Sequence, residues 1–375
     1  GQRFWASKSN QPENFDTGTA LADESLSFTL NELGRIEWMV ATKDLVIGTT
    51  YGEYLAGSQD GPITPDDIQV EQQSSYGSKS VQPIQIGDQI LFVSPDGRKL
   101  RATQYDFTKD NWLSRDVTFF SEHITKSGIR NFAWAQNPDQ QLWCALEDGS
   151  CAVLSYERGE DVYGWAKATT DGFFRDFTSA ILRGTSYVIA LTQRENDSLY
   201  LEIQDNDVFM DSYLDATAQT PSTVFAGFDH LAGLAVQVLL DGALHPTVVV
   251  AQDGTITTEW EGTLCEAGLA YTSTMQTLPL DQRTQTGSAQ PYQKRYNELL
   301  VTLLDSALPI INGERRPDRT PATPMDTREP NSTGLLRTEQ VILGWNQDAI
   351  VTIEQPDPFP CTVLSISGEL ALEKL

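Results

Sequence analysis

Basic residues, histidine, cysteine and helical periodicity are all scarce in this chain, and each scarcity excludes something. Lys and Arg number 26 against 52 Asp and Glu, a formal net charge of -26 over 375 residues. A grip on nucleic acid needs cationic side chains to neutralise phosphates, and the chain is short of them. An acidic wall repels a phosphate backbone, so the balance still suits DNA that passes without sticking. Three histidines occur, His123, His230 and His245, none with a Cys, His or carboxylate at ligand spacing, so no metal site is expected. The four cysteines, Cys144, Cys151, Cys265 and Cys361, are widely spaced. Cys144 and Cys151 could face each other across a hairpin, but reduced, buried thiols fit better than a disulfide scaffold. No apolar run approaches the length of a bilayer span.

Catalytic signatures are missing as well. Nucleophile-elbow, dinucleotide and phosphate-loop patterns are absent. PDGRK and EDGSC are hairpin turns whose glycines supply positive φ, with no helix behind them to bind a phosphate. Carboxylates are plentiful enough to suggest hydrolytic pairs, such as Asp60 with Asp66 and Asp67, or Glu160 with Asp161. With 52 acids, chance juxtaposition accounts for such pairs. Neither a catalytic residue nor a cofactor is expected.

What is present is a recurring unit of short β-branched and aromatic runs around Gly, Asn or Asp turns. DLVIGTTYGEYLAG, DQILFVSPDGRKLRATQY, QLWCALEDGSCAVLSYE and YVIALTQRENDSLYLEI each read as a hairpin. Their turns centre near Gly52, Gly97, Gly149 and Asn196, spaced 45, 52 and 47 residues apart. A further strand precedes each hairpin: RIEWMVA, VQPIQI, IRNFAWA and FTSAIL. Three strands and a connecting one at this period predict propeller-like blades over 1–222, all-β and antiparallel, each burying its faces on its neighbours. The abrupt start on RFWASKSNQPENF predicts a first blade that is fragmentary, with earlier blades upstream. The polar segment QSSYGSKSVQP reads as a blade junction. Gly77 relieves the backbone at the crossing, Pro83 marks an edge or bulge, and Tyr76 packs between blades.

Beyond residue 222 the pattern changes to a smaller β-rich domain over 223–375, with turns at Asp241-Gly242 and Asp253-Gly254. KRYNELLVTLLDS reads as a strand because of its VTLL core. Residues 312–333 have almost nothing to bury and several prolines, which predicts a long exposed loop. Its arginines, Arg315, Arg316, Arg319 and Arg328, are candidates for a gate or a partner contact.

The runs IEWMVATKDLVIGTTYGEYLAGS and GPITPDDIQVEQQSSYGSKSVQPIQIGDQILFVSPDGRKLRATQYDF resemble the tail nozzle or hub proteins of short-tailed bacteriophages, the tail tubular protein B family. The likeness continues through FFSEHIT, LWCALEDGSCAVLSYERGEDVYGW, GFDHLAGLAVQVLLDGALHP, GLAYTSTMQTLPL, KRYNELLVTLLDS and VTIEQPDPFPCTVLSI. It spans nearly the whole chain in order, while the Arg/Pro-rich stretch from Glu314 to Glu329 departs from the family's usual segment. The resemblance implies a virion tail protein made in the bacterial host cytoplasm. It further implies a homo-oligomer of six subunits, contacts with the tail adaptor and distal tail proteins, and a lumen through which double-stranded DNA leaves. It implies no enzymatic activity, cofactor or metal. Two other functions compete: a carbohydrate-binding or glycan-degrading propeller, with Trp112, Trp134, Trp143 and Trp165 as groove candidates, and a cellular protein-binding propeller.

Overall fold

The computed structural model describes residues 1–375 except 19–20, 31–33, 59–60, 110, 195–196, 285–286, 316–327, 329, 339–343 and 375. It divides into two compact units, Gly1–Gln204 and Asp205–Leu375. Both are built from antiparallel strands, and no described helix is long and apolar enough to cross a membrane.

Unit 1 begins with a two-stranded sheet, β1 (Arg3–Ala6) and β2 (Leu26–Thr29). Three four-stranded meanders follow. The first is β3 (Ile36–Ala41), β4 (Leu45–Thr49), β5 (Glu53–Gly57) and β6 (Gln69–Ser74). The second is β7 (Ile84–Ile86), β8 (Gln89–Val93), β9 (Leu100–Asp106) and β10 (Asn111–Asp116). The third is β11 (Ile129–Ala135), β12 (Gln141–Leu146), β13 (Cys151–Glu157) and β14 (Val162–Ala168). The last sheet has three strands, β15 (Phe173–Leu182), β16 (Thr185–Gln193) and β17 (Leu199–Ile203). Gly52, Gly97 and Gly149 lie at the hairpin turns; the fourth expected turn residue, Asn196, lies outside the described residues.

Burial explains why the second strands are so apolar. All five residues of β8 are buried. Because side chains alternate across a strand, Ile90 and Phe92 pack back on Trp38 and Val46, while Leu91 and Val93 pack forward on Phe132, Leu142 and Cys144. β12 repeats the arrangement. Leu142, Cys144 and Leu146 face the second meander, and Ala145 faces Phe177, Val188 and Ala190 of the last sheet. At the other end Ile47, Tyr54 and Ala56 are covered by Phe4 and Leu26. Each buried Val, Leu, Ile or Phe among them contributes about 1.5–3 kcal/mol on leaving water.

The propeller expectation is corrected by this packing. Every sheet is open, with two edge strands. The clusters run from each sheet to the next in chain order, and among the described residues none joins the last sheet to the first. β16 shows the consequence: its residues alternate strictly between buried and half-buried, as in a sheet covered on one face only. The repeat period is real, but the blades form an open series rather than a ring.

Backbone bonds reinforce the series at each step. The carbonyl of Thr49 accepts the N–H of Ser78 at 2.8 Å, that of Gly97 accepts Ile129 at 2.7 Å, and that of Gly149 accepts Phe174 at 2.8 Å. Each hairpin turn thus holds the chain that enters the next sheet.

In unit 2, Asp211–Phe225, Ile256–Leu269, Ala235–Leu240 and Ala243–Val249 form one sheet over a core containing Phe228, Val238 and Cys265. Tyr292–Ser306 is the central strand of a second sheet, between Ser332–Thr338 and Thr362–Lys374. A smaller sheet joins Ser273–Gln276, Thr352–Gln355, Ile310–Ile311 and Glu314–Arg315, and packs Ile311 and Ile353 against Leu299, Val301 and Leu303.

Trp38 is 4% exposed, its ring lies 5.5 Å from that of Phe92, and a Cβ added at Gly48 would strike it. Trp38→Ala is expected to cost about 3–5 kcal/mol in urea unfolding. Trp5→Ala, at a site 56% exposed, is expected to change stability by no more than about 0.5 kcal/mol.

Candidate functional site

The junction segment 74–79 closes over a buried carboxylate. Glu53, at the start of β5, is 3% exposed and is the one acid buried as a whole residue among the described residues. Ser74 donates its hydroxyl to one carboxylate oxygen, and Ser78 donates to the other at 3.0 Å. The Tyr76 backbone N–H also donates to the carboxylate, and Arg101 attracts it. The Arg101 guanidinium sits 3.7 Å from the centre of the Tyr76 ring. Burial outweighs these favourable contacts and raises the Glu53 carboxyl above the usual glutamate value.

Gly77 occupies the left-handed region with φ 76°, where its backbone passes so close to the Thr50 carbonyl that a Cβ would collide. Tyr76 is about half exposed and lies under Arg101. Pro83 is buried just before β7, an edge strand in which a missing N–H costs little. Lys79 extends the junction to a third sheet. Its N–H donates to Val93 O at 2.8 Å, and its ammonium donates to Ile129 O and to Glu147, each at 2.9 Å. The segment therefore joins three consecutive sheets, with Glu53 as its buried anchor. The sequence reading missed Glu53 altogether, because its hydroxyl partners lie 21 and 25 residues downstream.

The arginine group is spread along its stretch. Arg315 pairs with Asp357 at 2.6 Å, and Arg328 lies 5.4 Å over the Phe359 ring. Both ends of the stretch thus rest on the 357–359 segment. Arg316 and Arg319 lie outside the described residues. Trp112, Trp134, Trp143 and Trp165 are all half-buried against the clusters between sheets. Asp67 accepts a 2.7 Å bond from Ser58, while Asp60 lies outside the described residues.

Three cysteines and His245 lie buried within the sheets. Cys144, Cys151 and Cys265 are free and buried, and burial pushes the Cys151 and Cys265 thiols up to about 12. The buried His245 ring accepts the Glu259 N–H at Nε2 and donates from Nδ1 to Pro246 O, beside the Trp260 ring at 4.4 Å. Among the described residues, no three His, Cys, Asp or Glu side chains converge as a metal site.

Between the ordinary glutamate value of 4.5 and its own raised value, folded Glu53 holds a proton that the unfolded chain has lost. Stability contributed by this group therefore falls as pH rises upward from 4.5 through that window. In denaturant titrations, Glu53→Gln is expected to gain on the wild type across the window; a widening wild-type advantage contradicts the assignment. Glu53→Ala, which strands both serine hydroxyls, is expected to cost about 1–3 kcal/mol.

Compared with known proteins, the chain matches no protein-family model and no curated protein.

Proposed function

We propose that this chain is a structural component of a short-tailed phage tail nozzle, residing in the virion tail after synthesis in the bacterial host. Six copies assemble as a ring beside the tail adaptor and distal tail proteins, and the ring retains and then conducts double-stranded DNA. One observation supports the reading on the structural side: among the described residues Glu53 is the one acid buried as a whole residue, in a chain whose net charge is -26. A conduit for DNA must not hold its cargo, and a surface of this sign repels phosphates at every point of passage. The order of sequence likenesses to the nozzle family supports the same assignment. In this reading the chain is scaffold and channel wall rather than enzyme, and its strength comes from sheets buried in series.

Native mass spectrometry of the full chain with its tail neighbours is expected to give a sixfold complex. Duplex DNA binding is expected to be weak even at low salt, since 52 acidic residues outnumber 26 basic ones. A chain that stays monomeric beside its tail neighbours, or that grips duplex DNA with a steep salt dependence, contradicts the proposal.

A further inference from the structure

The last sheet of unit 1 differs from the three meanders before it by one strand. Those have four strands each, whereas this one ends at β17, whose outer edge is unpaired among the described residues. An open edge strand is a template for another strand. The backbone bonds of the neighbouring ladder show which groups face outward. Gln204 N–H donates to Val188 O at 2.9 Å and Arg194 N–H donates to Ser198 O at 3.0 Å. With Ile203 opposite Ile189 and Leu199 opposite Gln193, these bonds make Leu199, Leu201 and Ile203 the residues not bonded to β16. Their peptide groups point away from the sheet.

The same three residues carry side chains that water should not see. Leu199, Leu201 and Ile203 are 61%, 76% and 62% exposed, on the face they share with the half-buried Ile189 and Leu191 and the exposed Leu182. No Asp, Glu, Lys or Arg stands opposite them along β16, although charged residues make up 21% of the chain. A second copy brings the same net charge of -26, so two copies can approach closely only where carboxylates are missing.

We infer that β17 is a self-association edge, pairing antiparallel with β17 of a second copy about a two-fold axis through Leu201. The sequence LYLEI is self-complementary in that register. Leu201 meets Leu201, Leu199 meets Ile203, and Tyr200 of one copy stands opposite Glu202 of the other. Within the strand no like charges are opposed, and Glu202 is paired with Arg194 of its own chain and accepts the Thr192 hydroxyl at 2.8 Å. The outward peptide groups fall on the bonded pairs of the new ladder, and the two three-stranded sheets become one of six strands, with Leu199, Leu201 and Ile203 of both copies adjoining across the axis. The contact is isologous and closes at two copies. It is independent of the nozzle assignment: a ring can form without it, and it can form without a ring.

Sedimentation of the full chain over a dilution series is expected to show a reversible shift from twice the chain mass to one. Leu201→Lys places two cations on the axis at an exposed site, and is expected to abolish the dimer while leaving the thermal unfolding midpoint unchanged at a dilution where the wild type is also monomeric. Leu201→Cys in a Cys361→Ser background is expected to form a disulfide-linked dimer under mild oxidation, since bonded antiparallel pairs hold their Cα atoms about 5.5 Å apart. A wild-type chain that stays monomeric and a Leu201→Cys chain that does not cross-link overturn the inference and leave the edge to a strand of another protein. A dimer that survives Leu201→Lys also overturns it, by placing the contact elsewhere.

Discussion

A strand whose side chains are apolar on both faces must be covered on both faces, and unit 1 is arranged around that requirement. β8 is the extreme case, with all five residues buried and its alternate side chains assigned to opposite neighbours. Removing either neighbouring sheet would return half of that strand to water. The sheets are therefore interdependent in series, as in repeat proteins whose units cannot bury their own surfaces. The first meander is closed off by β1 and β2, through Phe4 and Leu26. Among the described residues the last sheet has no such cover, in keeping with the alternating burial of β16 and the exposed Leu199, Leu201 and Ile203 of β17.

Packing alone would permit sliding between sheets, and the polar connections oppose it. Three hairpin carbonyls hold three incoming chains, and the 74–79 junction adds side-chain bonds to Glu53, Ile129 and Glu147. Misplacing the junction is costly at Glu53, since a buried carboxylate that loses hydroxyl partners loses part of what offsets its burial. The junction is thus a structural clamp. Its serines both donate to the one carboxylate, which fixes their orientation.

Much of this was legible in the chain. QILFV and QLWCAL announce strands covered on both faces, and the glycines at 97 and 149 mark the turns between strands. Closure was not legible. VIAL in β16 reads the same as LFV in β8, yet one run is covered on one face and the other on two, because coverage depends on a neighbour far away in sequence. The period of the repeat counts blades without saying whether the last meets the first. Glu53 was hidden for a related reason: GEYLAG looks like a solvated turn until Ser74 and Ser78 arrive from the end of the next hairpin. Tyr76 is half exposed beneath Arg101, a partner from the second meander that no local pattern announces.

The account rests on unit 1 being an open series. Hydrogen exchange at a dilution where the chain is monomeric tests this most directly, because opening free energies map cooperative units along the fold. Amides of β8 and β12 are predicted to exchange slowest and together, and those of β16 and β17 markedly faster, from the uncovered end inward. Equal protection of β16 and β8 would mean that the last sheet is covered on both faces, and would contradict the open series.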